Sequence, residues 1–160
     1  MPSASRSHRS YRADVLLVPL EPRSRAAVLN LAPHDALDGI VIAGPDTPSA
    51  GPDTPSAGTG SGPGGLSRPD VVVMLAHDLA AVDPGLVTRL GISARASGAL
   101  VGAIVISPDR SWHGPQARRT ATELRATADT VVVLADMAPA VALLRVLRGG
   151  PRTADTPGPI

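Results

Sequence analysis

The sequence predicts an α/β fold, a three-layer sandwich built on a mostly parallel sheet of about five strands in the Rossmann-like manner. Three observations predict it. Short runs rich in Val, Ile and Leu recur along the chain, each ended by Pro, Gly or a polar residue. Between most of them lie stretches whose apolar residues fall at helical spacing. One run, Val71-Val72-Val73-Met74-Leu75, is apolar at consecutive positions, as a strand covered on both faces requires. Strands alternating with helices imply right-handed crossovers and hence parallel pairing.

The elements follow in order. Residues 1–12 are polar and read as a disordered tail. Val15-Leu16-Leu17-Val18, stopped by Pro19, is the first strand, and a weak helix follows over Arg23–Leu31. Gly39 to Ala43 is the second strand. A tandem heptad comes next: Gly44-Pro45-Asp46-Thr47-Pro48-Ser49-Ala50 is repeated without change at 51–57 and followed by a Gly/Ser run. These residues have little to bury, so 44–68 reads as a disordered insert. A replication-slippage product in a tolerant loop is the plainer account of it, and a docking linker the functional one. The domain itself is expected to span 13–149, with a second disordered tail at 150–160.

Order resumes at Asp70 with the Val71–Leu75 strand. Asp83-Pro84 is a helix start, an N-cap followed by Pro at the first helical position, and Leu86, Val87, Leu90 and Ala94 fall on one face. Leu100–Ile106 is a strand. Gly114-Pro115 opens a helix that turns Ala117, Ala121, Leu124 and Ala128 inward and Arg118, Arg119 and Arg125 outward. Thr130–Leu134 is the last strand. Ala138–Arg148 is the last helix, with Val141, Leu144 and Leu147 inward and a Gly149-Gly150-Pro151 stop.

Composition removes several chemistries. The chain has 160 residues with no Cys and no Phe, one Trp (Trp112) and one Tyr (Tyr11). Without Cys there is no disulfide, thiolate metal site or cysteine nucleophile. All 15 basic residues are Arg, so there is no lysine for a Schiff base or a phosphate-binding P-loop. A formal charge of +1 argues against nucleic acid as the partner. No apolar run approaches the length of a membrane span, and nothing resembles a secretory signal. The expected location is therefore cytoplasmic. The bias toward Arg, Ala, Gly and Pro is that of a high-GC bacterial genome.

In open parallel sheets ligands bind beyond the carboxyl ends of the strands. At these ends the sequence places Glu21, Arg23 and Arg25, then His77 and Asp78, then Asp109, Arg110, Ser111, Trp112 and His113, and finally Asp136. Each has a plain structural alternative. Asp136 fits an N-cap, His77-Asp78 a surface pair, Asp109 and Ser111 turn chemistry after Pro108, and Trp112 a cover over the sheet end or a stacking surface. No G-x-S-x-G elbow announces a triad. His8, His34, His77 and His113 lack zinc-ligand spacing. Gly60-Ser61-Gly62-Pro63-Gly64-Gly65 precedes a strand, where a phosphate cradle must follow one.

Three blocks between Asp70 and Leu144 carry a family likeness. Ala94-Arg95-Ala96-Ser97-Gly98-Ala99-Leu100 leads into a strand through a G-A-L entry. Pro108, then Trp112-His113-Gly114, is similar to a P-F-x-F-E-G loop. Glu123-Leu124-Arg125, then Ala128-Asp129-Thr130-Val131-Val132-Val133-Leu134, is close to E-L-R-x-x-V-D-T-L-I-V-I. In these blocks, over less than half its length, the chain resembles the GTPase domain of FtsZ, the bacterial tubulin homologue. The resemblance implies a Rossmann-like fold, GTP or GDP as the cofactor class, homo-oligomer or protein partners and a link to cell division. It also implies a nucleotide site carried here by His77, Asp109, Trp112, His113, Arg118 and Asp136. The departures weigh on activity. Ala76-His77-Asp78-Leu79-Ala80-Ala81 stands where the family has G-G-G-T-G-T-G. His113 replaces a nucleotide-contacting Glu. Ala117 takes the usual Arg position, with Arg118 one residue late. Asp136 replaces the guanine-reading Asn, although a carboxylate still accepts from the guanine N1 and N2 hydrogens. The family's central helix and the loop that completes hydrolysis have no counterpart in these residues. The expectation is a degenerate domain without GTPase activity, acting as a nucleotide-binding or regulatory module. An unrelated small α/β enzyme with its site on the same edge, and a remnant without a specific role, are the alternatives.

Overall fold

The computed structural model describes residues 12–31, 36–43 and 68–149. The expected tails, the insert with its tandem heptad, His8 and His34 lie outside the described residues, save Arg12 and Arg68 at the margins. Nine elements follow one another: β1 Val15–Pro19, α1 Pro22–Leu31, β2 Val41–Ile42, β3 Val71–Ala76, α2 Pro84–Ala96, β4 Leu100–Ile106, α3 Gly114–Thr127, β5 Thr130–Leu134 and α4 Met137–Arg148. The five strands form one sheet in the order β2-β1-β3-β4-β5. Every pair is parallel, with Leu17 opposite Val73, Val73 opposite Gly102 and Ile104 opposite Val132. The expected three-layer α/β architecture is the observed one.

Alternation along the strands explains the three layers. Val72, Met74 and Ala76 of β3 and Val101, Ala103 and Val105 of β4 point to one face. There they pack on Val87 and Ala94 of α2 and Ala117, Ala121 and Leu124 of α3. Val73 and Leu75 with Ile104 and Ile106 point to the other face, against Val28 of α1 and Ala140, Val141 and Leu144 of α4. Leu17, Met74, Leu75, Ile104, Leu124 and Leu144 are fully buried. Each such side chain contributes roughly 1.5–3 kcal/mol by leaving water, so the core needs no aromatic ring. Gly91 lets α2 approach α3 closely, because a Cβ there would fall 2.0 Å from Thr127 Cγ2.

Three helices start on a carboxylate. Asp83 accepts from Gly85 N at 2.9 Å, with Pro84 following it. Asp136 accepts from Ala138 N at 2.9 Å. Glu21 accepts from Arg23 N at 2.5 Å and Ser24 N at 2.9 Å ahead of α1. The helix α4 stops at Gly149, whose φ of 70° suits glycine. Ala13 N donates to the Arg148 carbonyl at 2.8 Å, which ties the end of α4 back to the start of β1.

Two expectations need correction. The second strand was expected over Gly39–Ala43, but only Val41–Ile42 pair. Ile40 N bonds back to the Leu37 carbonyl in a turn, so local backbone bonding competes with the ladder at this edge. Leu147, expected inward on α4, is 37% exposed. Val146 beside it is 75% exposed, so the buried stripe of this helix runs through Ala140, Val141 and Leu144.

Candidate functional site

The strand order reverses between β1 and β3, and ligands in such sheets bind beyond the carboxyl ends at that switch point. A cavity of about 270 Å³ opens there. Its walls come from three loops: Arg23 after β1, His77, Asp78, Leu79 and Ala80 after β3, and Ser107 to Asp109 with Ser111 to His113 after β4, with Ala117 of α3 behind them. The size suits a small molecule and sits just under the usual ligand-pocket range of roughly 300–1,000 Å³.

Behind the lining residues Arg23 and His77 lies a carboxylate. Glu21 is 2% exposed. It accepts from His77 N at 2.8 Å in addition to the amides of Arg23 and Ser24. Burial by itself would raise the Glu21 pKa. The three N–H donors and the Ser24 side chain outweigh it and hold the carboxyl below its usual value. His77, anchored through its backbone, is half-buried and lines the cavity. Burial lowers its pKa, against a raising influence from Glu21, and Arg23 lowers it further. It is therefore the neutral imidazole near pH 7, and its Nδ1 is buried without a hydrogen-bond partner. Asp78, also on the wall, accepts from Ala80 N at 3.0 Å.

The opposite wall is a turn. Ser107-Pro108-Asp109-Arg110 closes with Arg110 N donating to the Ser107 carbonyl at 3.1 Å. Arg110 has φ 53°, a left-handed conformation that costs a non-glycine residue on the order of 1 kcal/mol. The turn delivers Asp109 to Ser111 and His113. Ser111 Oγ donates to Asp109 Oδ2, and Ser107 Oγ and Ser111 N bond its Oδ1 at 3.1 and 3.3 Å. His113 Nε2 lies 2.7 Å from Ser111 Oγ and 3.1 Å from Asp109 Oδ2. The Ser111 hydroxyl, His113, the Ser111 amide and the Ser107 hydroxyl together hold Asp109 well below the usual carboxylate range.

Ser, His and Asp therefore converge although the sequence shows no triad motif. The arrangement is not a relay. In a catalytic triad the two ring nitrogens are divided between nucleophile and acid, whereas here one nitrogen faces both. Ser111 also gives its proton to Asp109, and the Asp109 and His113 side chains are 61% and 83% exposed. The cluster is a solvated hydrogen-bonding rim.

Trp112 joins the walls. Half-buried against the α2/α3 core, it lines this cavity and a neighbouring one of about 90 Å³ formed with Leu79, Val105, Leu124, Val131 and Val133 and bordered by Arg125. Of the residues singled out in the sequence, His77, Asp109, Trp112 and His113 thus meet around one cavity. Arg118 projects from the exposed face of α3. Asp136 shares the carboxyl edge but caps α4, and neither residue lines the cavity. Glu21 and Ser111, which matter most to the geometry, carried no motif. The sequence placed Glu21 at the end of the first strand, but its bond to the His77 amide required knowing that β1 and β3 are neighbours. Among the described residues no cluster of three or more metal-ligating side chains stands together, and no helix is long and apolar enough to cross a membrane. No family model matches the sequence, and no curated protein matches it at a significant level.

Proposed function

We propose that this chain is a degenerate domain of the FtsZ/tubulin type that binds a nucleotide, or the nucleoside part of one, at the carboxyl edge of its sheet. It works as a binding or regulatory module without hydrolysing GTP, and a role beside the division machinery follows from the same resemblance. The observation that carries this reading is the cavity at the switch point. It gathers Trp112, a neutral His77, the ionised Asp109 and His113 around a space fit for one small heteroaromatic molecule. A strained turn that presents Asp109 supports it, because strain is retained where a binding geometry needs it. The loss of hydrolysis is supported by His77-Asp78-Leu79-Ala80 after β3. Side chains there replace the glycine-rich nest that would wrap phosphates.

Trp112, the sole tryptophan, makes the test direct. Titration with guanosine, GDP and GTP should quench or shift its fluorescence, and ligand at about 100 times its Kd should add about 2.7 kcal/mol to unfolding stability. If no nucleoside or nucleotide changes either signal, the proposal fails.

A further inference from the structure

The ligand class can be narrowed by asking where a phosphate would sit. In sheets of this kind phosphates are held by backbone N–H groups of the loop after a strand and of the helix that follows. Here several of those groups are already in use. At the switch point the amides of Arg23, Ser24 and His77 all donate to Glu21 at 2.5, 2.9 and 2.8 Å. Asp83 occupies the start of α2 and Asp136 the start of α4. The start of α3 has no side-chain cap, but Pro115 removes one of its donors, and His113 just ahead of it lies 3.1 Å from the ionised Asp109. A phosphate entering the cavity would meet Asp78 and Asp109 on the walls, against one lining arginine, Arg23, and an uncharged His77, and the amides of both of these residues already donate to the Glu21 carboxylate.

Resting on the nucleotide reading above, we infer that the Glu21 carboxylate permanently occupies the phosphate place of this fold, so that the cavity selects a phosphate-free nucleobase or nucleoside. The base would lie against Trp112, with its ring N–H and amino groups toward the exposed Asp109 carboxylate and toward His77 Nδ1, which has no partner in the fold. Glu21 is thus a specificity-determining residue. It fixes the loop after β3 and excludes by charge and by occupancy the group that a working nucleotide hydrolase must hold.

The test compares guanosine, GMP and GDP by calorimetry on the full chain at fixed ionic strength. Charge-assisted hydrogen bonds from a functioning cradle exceed tenfold in affinity. Guanosine binding within tenfold of GDP, or tighter, is the expected result. GDP binding tighter than guanosine by tenfold or more overturns the inference while leaving the nucleotide reading intact. If none of the three binds, that reading falls, and a second arm still judges the role of Glu21. In Glu21→Ala, inorganic phosphate should raise the melting temperature well above a chloride control of equal ionic strength, while the native chain shows no such rise. Equal phosphate response of the two proteins, or none in the folded variant, overturns it. Should Glu21→Ala fail to fold, Glu21→Ser replaces it in the same assay.

Discussion

Two carboxylates stand at the carboxyl edge, Asp109 on the cavity wall and Glu21 behind the lining residues Arg23 and His77, and they do different work. Glu21 is buried, and the groups that hold its side chain are backbone amides, one of them 56 residues away. Asp109 is exposed, and most of its partners are side chains from its own turn. The first cannot be separated from the fold, since removing it strands three amide donors in a dry place. The second can be removed at little structural cost, because water replaces what it loses. A residue held by the backbone of another element is architecture. A residue held by neighbouring side chains at a cavity mouth is free to meet a ligand.

The largest expected effect breaks the comparison on the structural side. Glu21→Ala should destabilise the protein by about 2–4 kcal/mol, combining a lost helix cap with unsatisfied buried donors. Urea unfolding at neutral pH would show it as a lower midpoint with unchanged slope. A loss no larger than that of an ordinary surface substitution would mean that Glu21 is not the tie between α1 and β3.

A smaller effect concerns the cavity itself. Trp112→Ala should weaken nucleoside binding by about tenfold, the worth of one aromatic stack, with the fold retained. Calorimetry that finds unchanged affinity would remove Trp112 from the site.

Acid should act on the Glu21 side first. His77 and Glu21 both have pKa values below their unfolded ones, so in both cases the unfolded chain takes up protons more readily. Their stabilisation is complete above about pH 6.5 and is lost as pH falls. The His77 part goes first, below its unfolded pKa, and the Glu21 part follows below about 4.5. Unfolding free energy measured from pH 7.5 to 4 should fall on acidification, and it should fall less in His77→Asn. A flat profile over that range would contradict the burial of His77.

The smallest stability change is expected at the rim. Asp109→Asn should leave the urea midpoint unchanged while lowering nucleoside affinity. If the midpoint moves as far as in the Glu21 variant, the contrast between the two carboxylates is lost.

Much of the fold was legible because its signals are local. Val71–Leu75, Leu100–Ile106 and Thr130–Leu134 stand out as apolar runs between polar stops, and the observed strands match them within a residue. Asp83-Pro84 and Asp136 announce helix starts through capping chemistry that acts over two or three residues. The edge of the sheet that bears the cavity followed from parallel connectivity alone. The site was only partly legible. His77, Asp109, Trp112 and His113 were placed at strand ends by counting, and they do meet. Asp136 and Arg118 also lay at the right distance along the chain, yet one is engaged by its own helix and the other points outward from α3.

The sequence by itself determined the elements, the parallel class of the sheet and the cavity-bearing edge, because hydrophobic period and capping are short-range properties of the chain. Only the tertiary structure decided that β3 lies beside β1, that the Glu21 carboxylate bonds the His77 amide, and that Ser111, His113 and Asp109 share one hydrogen-bonded rim. Strand order depends on contacts between segments far apart in sequence, and a carboxylate takes its role from whichever donors those contacts bring within 3 Å of it.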